Sequence, residues 1–594
     1  MESKKETTHI FSNLFRAIRL MWKVDKKYIF ILLSSTIIVS LFPASSLIIM
    51  QNIINQIQIA SASFKTIITE IIIYVLIDLT QTLISTQVAF YTTKFNLAFN
   101  LKIKESILQK AAGLTLKDFE NSEMYNRIRR AQNESEGKLP AYVSLFIQII
   151  GTTISMITYL AFLILFKPWI VAIVLLVPAV KYFVLHKINI KQFKILKERT
   201  NKERKAWYYS YLITNGQNFK ELKLYNLFQY FNDLYKKLKK HFNEQDYKIA
   251  KESTVKISIF TIFEQVLDGL MFAYIIYNGL TGTILIGNVI TYTRAISQTK
   301  SSVQSVLQNF TDVHKESLFI DLLFDFLNMK TSNMSPSKQL IKISKIKEIR
   351  VEHLFYRYQK DSDYVLKDIN VVLKQGQFYA FVGRNGSGKT TLAKILMGFY
   401  TDYEGNIFIN GNNFKDVDKS DYMCKVGALF QDFAKYEATF KENIAYGNLD
   451  ILQDEDKIWN ISKKFHADSI INKNPEKLNT QLGYWFDNGK QISIGQWQKI
   501  ALSRAFAKNA DFYVLDEPNA ALDAISEYDL SNLYKEVLTG HIGLIIAHRF
   551  NNFIKNADQI IVLDNGKIID TGRHDVLVQK DGLYHTLYYL QTDK

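Results

Sequence analysis

The sequence contains a single cysteine, Cys424, among 594 residues. One thiol excludes a disulfide framework and a cysteine-rich metal site, and a lone cysteine without a paired histidine usually only packs. A cleavable signal peptide is also missing, because the N-terminal segment is charged and amphipathic. We therefore expect residues 1–27 to form an interfacial helix that leads into a first membrane span.

Long apolar runs are confined to the first half of the chain, and the first of them carries no charge. A bilayer core needs about 20 mostly apolar residues in a helix. The sequence predicts six such helices, at 28–50, 67–91, 143–166, 169–185, 257–277 and 284–305. The third and fourth are separated only by Lys167 and Pro168, a helix-breaking corner that predicts a tight hairpin.

The net charge of +16 comes from basic residues that cluster between the predicted spans, mainly in 92–142 and 186–256. Lysine and arginine accumulate on the cytoplasmic side of membranes, so these two segments and both termini are predicted to be cytosolic. The charge thus predicts membrane lipid, and not nucleic acid, as its partner. Both segments are too long for irregular loops, so the spans should continue as helices that meet at two tips, "KDFENSEMYN" and "TNGQNFKEL".

Several ionisable residues fall within the predicted spans: Glu70, Asp78, Glu264, Asp268 and Arg294. Such groups are costly in lipid and normally face a cavity or a partner. Glu264 and Asp268, four residues apart, share one helix face. For Glu70, a position near the interface is the alternative. A cavity of negative charge would suit a cationic ligand better than an anionic lipid head group.

From about residue 341 the pattern changes to short strands and turns, and an apolar strand at 378–382 leads into a glycine loop and a helix. This order is the context that a P-loop requires, in which backbone N–H groups cradle phosphate oxygens. Lys389 is then expected to meet the β- and γ-phosphates of ATP, and Thr390 to hold Mg²⁺. The loop consists of Gly383, Arg384, Asn385, Gly386, Ser387, Gly388, Lys389, Thr390 and Thr391.

A second apolar strand, in "DFYVLDE", delivers two carboxylates at its end. Asp516 is predicted to hold Mg²⁺, and Glu517 to act as the general base for the attacking water.

The order of these motifs resembles ATP-binding cassette transporters over the whole chain, and six spans before one such domain resemble the exporter half-transporter type. The resemblance implies that Tyr358 stacks on adenine, that Gln431 serves both the Mg²⁺ site and catalysis, and that His548 reaches the γ-phosphate. It assigns further ATP contacts to Ser493, Gly495, Gln496 and Asp523.

The resemblance also implies a fold: a helical membrane domain with long cytosolic extensions, followed by an α/β P-loop domain. We predict an N-terminal segment at 1–27, the membrane domain at 28–325, a linker at 326–345 and the nucleotide-binding domain at 346–594. The tip near 215–221 is expected to dock on the nucleotide-binding domain near Gln431.

The signature stretch departs from the family pattern. Where the family has "LSGGQ", which caps ATP held by the opposite subunit, this sequence has "ISIGQ" from Ile492 to Gln496. A β-branched residue is unfavourable at positive φ. Either Ile494 has an ordinary φ, or the ATP sandwich closes less well, and in a homodimer both sites would be affected.

The following "WQKIALSRAF" resembles nisin-type lantibiotic and related peptide exporters. The sequence therefore predicts a homodimeric, ATP- and Mg²⁺-dependent exporter in a bacterial inner or plasma membrane, moving a peptide or another cationic amphipathic compound by alternating access. A flippase for lipids or lipid-linked oligosaccharides is the alternative, and a membrane ATPase that only regulates a partner is a third.

Overall fold

The computed structural model describes residues 2–59, 63–121, 124, 127–128, 131, 137–329, 340–359, 361–518, 524–547 and 552–592. By its internal contacts the chain divides into two compact units. The membrane unit comprises Met1–Gly113 and Ser122–Lys330, and the nucleotide unit comprises Leu114–Asn121 and Thr331–Lys594. The short segment Leu114–Asn121 therefore belongs to the nucleotide unit, although it lies between two membrane helices in the sequence.

The membrane unit is built from helices joined by short turns in its described residues. Its helices are α1 (Glu2–Val24), α2 (Lys26–Ile59), α3 (Phe64–Ala112), α5 (Lys138–Phe166), α6 (Pro168–Thr214), α7 (Phe219–Leu224), α8 (Leu227–Leu280) and α9 (Ile286–Asn328). The helix between α3 and α5, α4 (Leu116–Phe119), belongs to the nucleotide unit. Pro168 is the first residue of α6, where its missing N–H costs nothing, and this sets the predicted corner after α5.

Several of these helices are much longer than a bilayer is thick. The 54 residues of α8 extend roughly 80 Å at about 1.5 Å per residue, against a hydrocarbon core of about 30 Å. The predicted helical extensions of the spans are thus confirmed. Among the described residues, five helices are long and apolar enough to cross a membrane, namely α2, α3, α5, α6 and α8. The sixth predicted span falls within α9, which is more polar.

Apolar side chains cover the outside of these helices, and none of the most apolar stretch of α3 is buried within the protein. A helix that exposes apolar residues all round is suited to lipid. Inside the unit the helices pack closely where small residues allow it: a Cβ on Gly151 of α5 would lie 2.5 Å from Thr36 Cγ2 of α2. Gln51 and Asn55 of α2 also donate hydrogen bonds of 2.6 and 2.8 Å to Asn288 Oδ1 of α9.

The nucleotide unit contains two sheets. Its strands are β1 (Glu348–Tyr356), β2 (Leu366–Lys374), β3 (Phe378–Gly383), β4 (Glu404–Ile409), β5 (Asn412–Asn413), β6 (Val426–Leu429), β7 (Phe512–Asp516), β8 (Ile542–Ile546), β9 (Gln559–Asp564) and β10 (Lys567–Gly572). Its remaining helices are α10 (Lys389–Leu396), α11 (Lys419–Met423), α12 (Phe440–Ala445), α13 (Glu455–Lys464), α14 (Asp468–Ile471), α15 (Ile494–Ala507), α16 (Ala524–Val537), α17 (Asn552–Lys555), α18 (His574–Gln579) and α19 (Leu583–Thr592).

The larger sheet positions the site. Its strand order is β10-β9-β3-β8-β7-β6, and the strands from β9 to β6 run parallel. Strands β3, β7 and β8 are buried along their whole length, as expected for a parallel sheet covered on both faces. The carboxyl ends of parallel strands meet at one edge, so the segments that follow β3, β6 and β7 come together there. The smaller sheet, β2-β1-β4-β5, is antiparallel.

Candidate nucleotide site

The P-loop begins at Gly383, the last residue of β3, and continues into the first turn of α10. Gly383 needs to be glycine because a Cβ there would lie 2.0 Å from the Leu563 carbonyl oxygen. Gly388, the residue before α10, has φ +101°, which only glycine adopts without strain. The loop is therefore built for close approach of backbone N–H groups to a ligand at the N-terminus of α10, the arrangement that binds phosphate.

Lys389 lies inside this loop and is almost fully buried. Its ammonium group donates hydrogen bonds of 2.9 and 2.8 Å to the carbonyl oxygens of Gly383 and Arg384, and Ser387 Oγ lies 3.4 Å away. Burial lowers the pKa of the Lys389 ammonium to about 8. A buried ammonium held by neutral carbonyl groups gains from a nearby anion, so this position suits phosphate.

The carboxylate of Asp516, at the end of β7, has the properties of a group that needs a cation. It is 7% exposed, and its charged form is disfavoured by burial and by the neighbouring Glu517 carboxylate, which together raise the pKa of Asp516 to about 6. The Thr390 hydroxyl donates a hydrogen bond to it. Thr390 and Asp516, predicted on separate motifs, thus meet, and their oxygen atoms are of the kind that Mg²⁺ prefers.

Glu517 and Gln431 come together from β7 and from the segment after β6. Gln431 Nε2 donates a hydrogen bond of 3.0 Å to Glu517 Oε2. Glu517 has φ +47°, in the left-handed region that non-glycine residues rarely occupy. Strained backbone of this kind concentrates at functional sites.

Gln498, on α15, is a residue that the sequence analysis did not select. It is buried, and its Nε2 donates a hydrogen bond of 3.3 Å to the carbonyl oxygen of Glu517. It therefore supports the strained turn from the helix that begins at the signature stretch. The available signal was a glutamine on the same helix face as the apolar residues Ala501 and Leu502.

Tyr358, the predicted adenine-stacking residue, lies just after β1 with its ring 37% exposed. Its hydroxyl lies 2.8 Å from that of Thr391 on α10, which ties the ring to the end of the P-loop. Tyr356 and Tyr400 support it edge-on, with ring centroids 5.3 and 5.8 Å from its own. An aromatic ring held this way can offer a free face to a base.

The signature stretch forms the N-terminus of α15. Ser493 is the N-cap, and it forms a capping box in which Ser493 Oγ accepts from the Gln496 N–H and Gln496 Oε1 accepts from the Ser493 N–H. Ile494 is the first helical residue, has no positive φ, and is exposed. Of the two alternatives for Ile494, the ordinary φ is therefore the one found. Gly495 follows in the same helical turn.

Two predicted residues, Asp523 and His548, lie outside the described residues. The first falls between β7 and α16, and the second follows β8. Their roles stay as predictions from the motifs.

The segment Leu114–Asn121 makes defined contacts within the nucleotide unit. Tyr400 donates its hydroxyl to both oxygens of Glu120, at 2.9 and 3.0 Å, and Lys394 lies 3.7 Å from the same carboxylate. Lys117 forms an ion pair with Asp402. The sequence analysis predicted a tip here but no partner for it. The local signal for α4 was Thr115 three residues before Asp118, and these two form a capping box.

Comparison with known proteins agrees with this geometry. Residues 366–520 match the family model described as ABC transporter. The chain is 35% identical to the subtilin transport ATP-binding protein of Bacillus subtilis over 98% of this chain and 94% of that protein. It is 32% identical to the nisin transport ATP-binding protein of Lactococcus lactis subsp. lactis, over 99% and 97% of the two chains.

The fold has a solved counterpart in a bacterial Atm1-family ABC exporter with ATP bound, with a TM-score of 0.78 and 18% identity. The match covers 95% of this chain and 98% of that one. It shows that both units, and not only the P-loop domain, have the exporter architecture. The chain belongs to the ABC transporter family, as a membrane exporter that binds ATP and couples its hydrolysis to transport.

Proposed function

We propose that two copies of this chain form an exporter that moves a cationic amphipathic peptide outward from the cytosol. The observation that carries the proposal is the similarity to the subtilin and nisin transport proteins, which extends through the membrane unit as well as the ATP site. The membrane unit is the part of an exporter that contacts its cargo. The basic segments between the spans support an orientation with both termini in the cytosol.

The exposed helix N-terminus at the signature stretch supports an ATP site that is shared between two copies of the chain. Ser493 is exposed at the N-terminus of a 14-residue helix, where unpaired N–H groups and the helix dipole favour an anion. In the proposed dimer, Ser493, Gly495 and Gln496 of one copy face the γ-phosphate of the ATP held by the P-loop of the other. Tyr358 stacks on the adenine of that ATP.

Hydrolysis is proposed to depend on residues gathered at the sheet edge. The P-loop N–H groups and Lys389 hold the β- and γ-phosphates in position. Thr390, Gln431 and Asp516 would hold Mg²⁺, which would neutralise phosphate charge when bound. Glu517 accepts a proton from the water that attacks the γ-phosphorus, and Gln431 orients its carboxylate through the 3.0 Å hydrogen bond.

Transport in inside-out proteoliposomes tests the proposed cargo. We expect ATP-dependent accumulation of a fluorescently labelled cationic peptide, with subtilin and nisin as the first two peptides, and no accumulation without ATP. A matched peptide with glutamate in place of lysine is the control for charge. ATP-driven movement of a labelled phospholipid, with no movement of either peptide, would contradict peptide export and favour the flippase.

Coupling between ATP and transport is proposed to pass through the two cytosolic tips. Glu120, at the described start of the first predicted tip, accepts from Tyr400 within the nucleotide unit, next to the Tyr358 ring. The second tip, α7, exposes Phe219, Glu221 and further polar side chains, and we propose that it docks on a nucleotide unit near Gln431.

Changes at either tip should separate transport from hydrolysis. Tyr400→Phe removes the hydrogen bonds to Glu120, and charge reversal of Lys220, Glu221 and Lys223 alters the exposed face of α7. We expect ATP binding to be retained and peptide transport per ATP hydrolysed to fall several-fold, because the tips transmit motion without touching ATP. An unchanged ratio of transport to hydrolysis in both variants would contradict this role.

A further inference from the structure

A cavity of about 460 Å³ lies within the membrane unit, between α6, α8 and α9. Its lining combines charged, hydroxyl and apolar side chains, and none of the sites described above uses it. Its charged members are Lys181, Glu264, Asp268 and Lys300. Phe272, Ile275 and Ile296 form an apolar wall. A membrane cavity with a few polar groups on an apolar wall is the usual form of a binding site for an amphipathic ligand.

The four charged residues lie at one depth. Each lies roughly 18 to 24 Å along its helix from the end that carries a short connection, at about 1.5 Å per residue. These distances are shorter than the roughly 30 Å of a hydrocarbon core, so the charges fall within the length of helix that a span would occupy. Three separate helices therefore bring their charged side chains to the same level of the membrane unit. Charges scattered at random over the helix surfaces would not coincide in this way.

The two acidic residues of the cavity have different numbers of lysine partners. Lys300 Nζ lies 2.9 Å from Glu264 Oε1 and 2.6 Å from Asp268 Oδ2. Lys181 Nζ lies 3.2 Å from the other oxygen of Glu264, and Gln304 donates to Glu264 as well. Glu264 therefore has partners on both oxygens, and its side chain is only 7% exposed. Asp268 shares its single cation with Glu264.

The sequence analysis considered a cavity of negative charge, and the structure places two lysines beside its acidic groups. Two lysines balance Glu264 and Asp268, so the four charges sum to zero. Glu70 does not line the cavity and accepts a hydrogen bond of 2.9 Å from Gln56. Asp78 is exposed on α3. Glu264 contacts both lysines whereas Asp268 only shares Lys300, so the Asp268 carboxylate is the less fully neutralised of the two.

Asp268 also has an unused acceptor. Its Oδ1 is buried and accepts no hydrogen bond from the described residues. A buried carboxylate oxygen without a donor is costly, so the site favours a ligand that brings one. Phe272 follows Asp268 by one helical turn and lines the same cavity. The Asp268 carboxylate can accept a hydrogen bond from an ammonium group, and the apolar wall beside it can contact the aliphatic chain that carries this group.

We infer that this cavity binds a primary ammonium group of the exported peptide, with Asp268 as the hydrogen-bond acceptor. Phe272, Ile275 and Ile296 would contact the apolar side chains of the peptide next to that ammonium group. The inference rests on the proposed function, because it assigns the part of the peptide that the membrane unit recognises. The ammonium group comes from a lysine side chain or from the peptide N-terminus, and both present the same chemistry.

Direct binding of subtilin and nisin to the full-length protein in nanodiscs tests the inference. The readout is fluorescence anisotropy of labelled peptide in the absence of nucleotide, so that it does not depend on hydrolysis. We expect Asp268→Asn to weaken binding about tenfold or more, the scale of a lost charge-assisted hydrogen bond. Glu252→Gln is the matched control, because Glu252 lies on the same helix and pairs with Lys191 and Lys256 outside the cavity.

Acetylated peptides identify the ammonium group. Acetylation of the group that binds Asp268 should weaken binding to the parent protein as much as Asp268→Asn does, and should have no further effect on that variant. Lysine-acetylated and N-terminally acetylated peptides separate the two sources. An equal effect of acetylation on the parent protein and on Asp268→Asn would overturn the inference.

A second variant keeps the inference testable if Asp268→Asn fails to fold. Phe272 is 49% exposed, so Phe272→Ala removes the largest side chain of the apolar wall and leaves Ile275, Ile296 and the ion pairs in place. It should weaken binding of acetylated and unmodified peptide by the same factor, and unchanged affinity for both would count against the cavity. If the parent protein binds neither peptide, the proposed function fails. If it binds them and no cavity variant changes affinity, only the inference fails.

Discussion

Glu517→Gln is expected to lower ATP hydrolysis by about 10²- to 10⁴-fold, the usual contribution of a general base. The amide cannot accept the proton of the attacking water, but it has almost the same size as the carboxylate. Asp516, Thr390 and the P-loop are unchanged, so ATP binding should persist. The variant should therefore accumulate with ATP bound in a closed dimer, which phosphate release and size-exclusion chromatography with ATP can measure.

The surroundings of Glu517 make this substitution interpretable. The Gln431 side chain and the Gln498 contact with the Glu517 carbonyl do not require a charge on residue 517. The strained φ of this residue is a property of the backbone that glutamine can adopt equally well. Glu352→Gln on β1, where Glu352 pairs with Arg350 at the surface, is the matched control and should hydrolyse ATP at the parental rate. Hydrolysis near that rate in Glu517→Gln would exclude the proposed role.

The location of the ATP site could be predicted because its residues follow local rules. A buried strand that runs into glycines and a lysine specifies the P-loop, and a second buried strand specifies the position of Asp516 and Glu517. The parallel sheet then brings these strand ends together without further information. The positive φ of Glu517 could not be predicted, because glutamate has no local preference for the left-handed region and its contact with Gln498 on α15 is a tertiary one.

In the membrane unit, the helices could be predicted from the sequence but the contacts between their charged side chains could not. Its helices follow from the length of the apolar runs, but the charge of its cavity depends on which helix faces are turned inward. Lys181 and Lys300 both lie within predicted spans, but the sequence does not indicate which helix faces they share with the acidic residues. Packing of α6 and α9 against α8 places both beside Glu264. The contacts of Glu120 are likewise long-range, since its partners Lys394 and Tyr400 are far along the chain.

Ser493→Ala should reduce hydrolysis by about 10- to 100-fold, corresponding to the roughly 1.5 to 3 kcal/mol of a hydrogen bond to a charged group. The same hydroxyl caps α15, so its loss also destabilises the helix N-terminus by about 0.5 to 2 kcal/mol. Ser493→Gly separates the two effects, because glycine is tolerated as an N-cap but has no hydroxyl. Equal loss of hydrolysis in both variants, with a smaller change in thermal stability for glycine, would assign the effect to the phosphate contact.

Ile494→Gly is the companion variant, and we expect its basal hydrolysis to stay within about twofold of the parent, a change of about 0.4 kcal/mol. Relief of backbone strain cannot accelerate hydrolysis, because Ile494 is an ordinary first residue of α15 without a positive φ. Its side chain is 60% exposed, so glycine creates no cavity. A several-fold increase with Ser493→Ala impaired would instead show that the isoleucine side chain hinders approach of the opposing subunit when the sandwich closes.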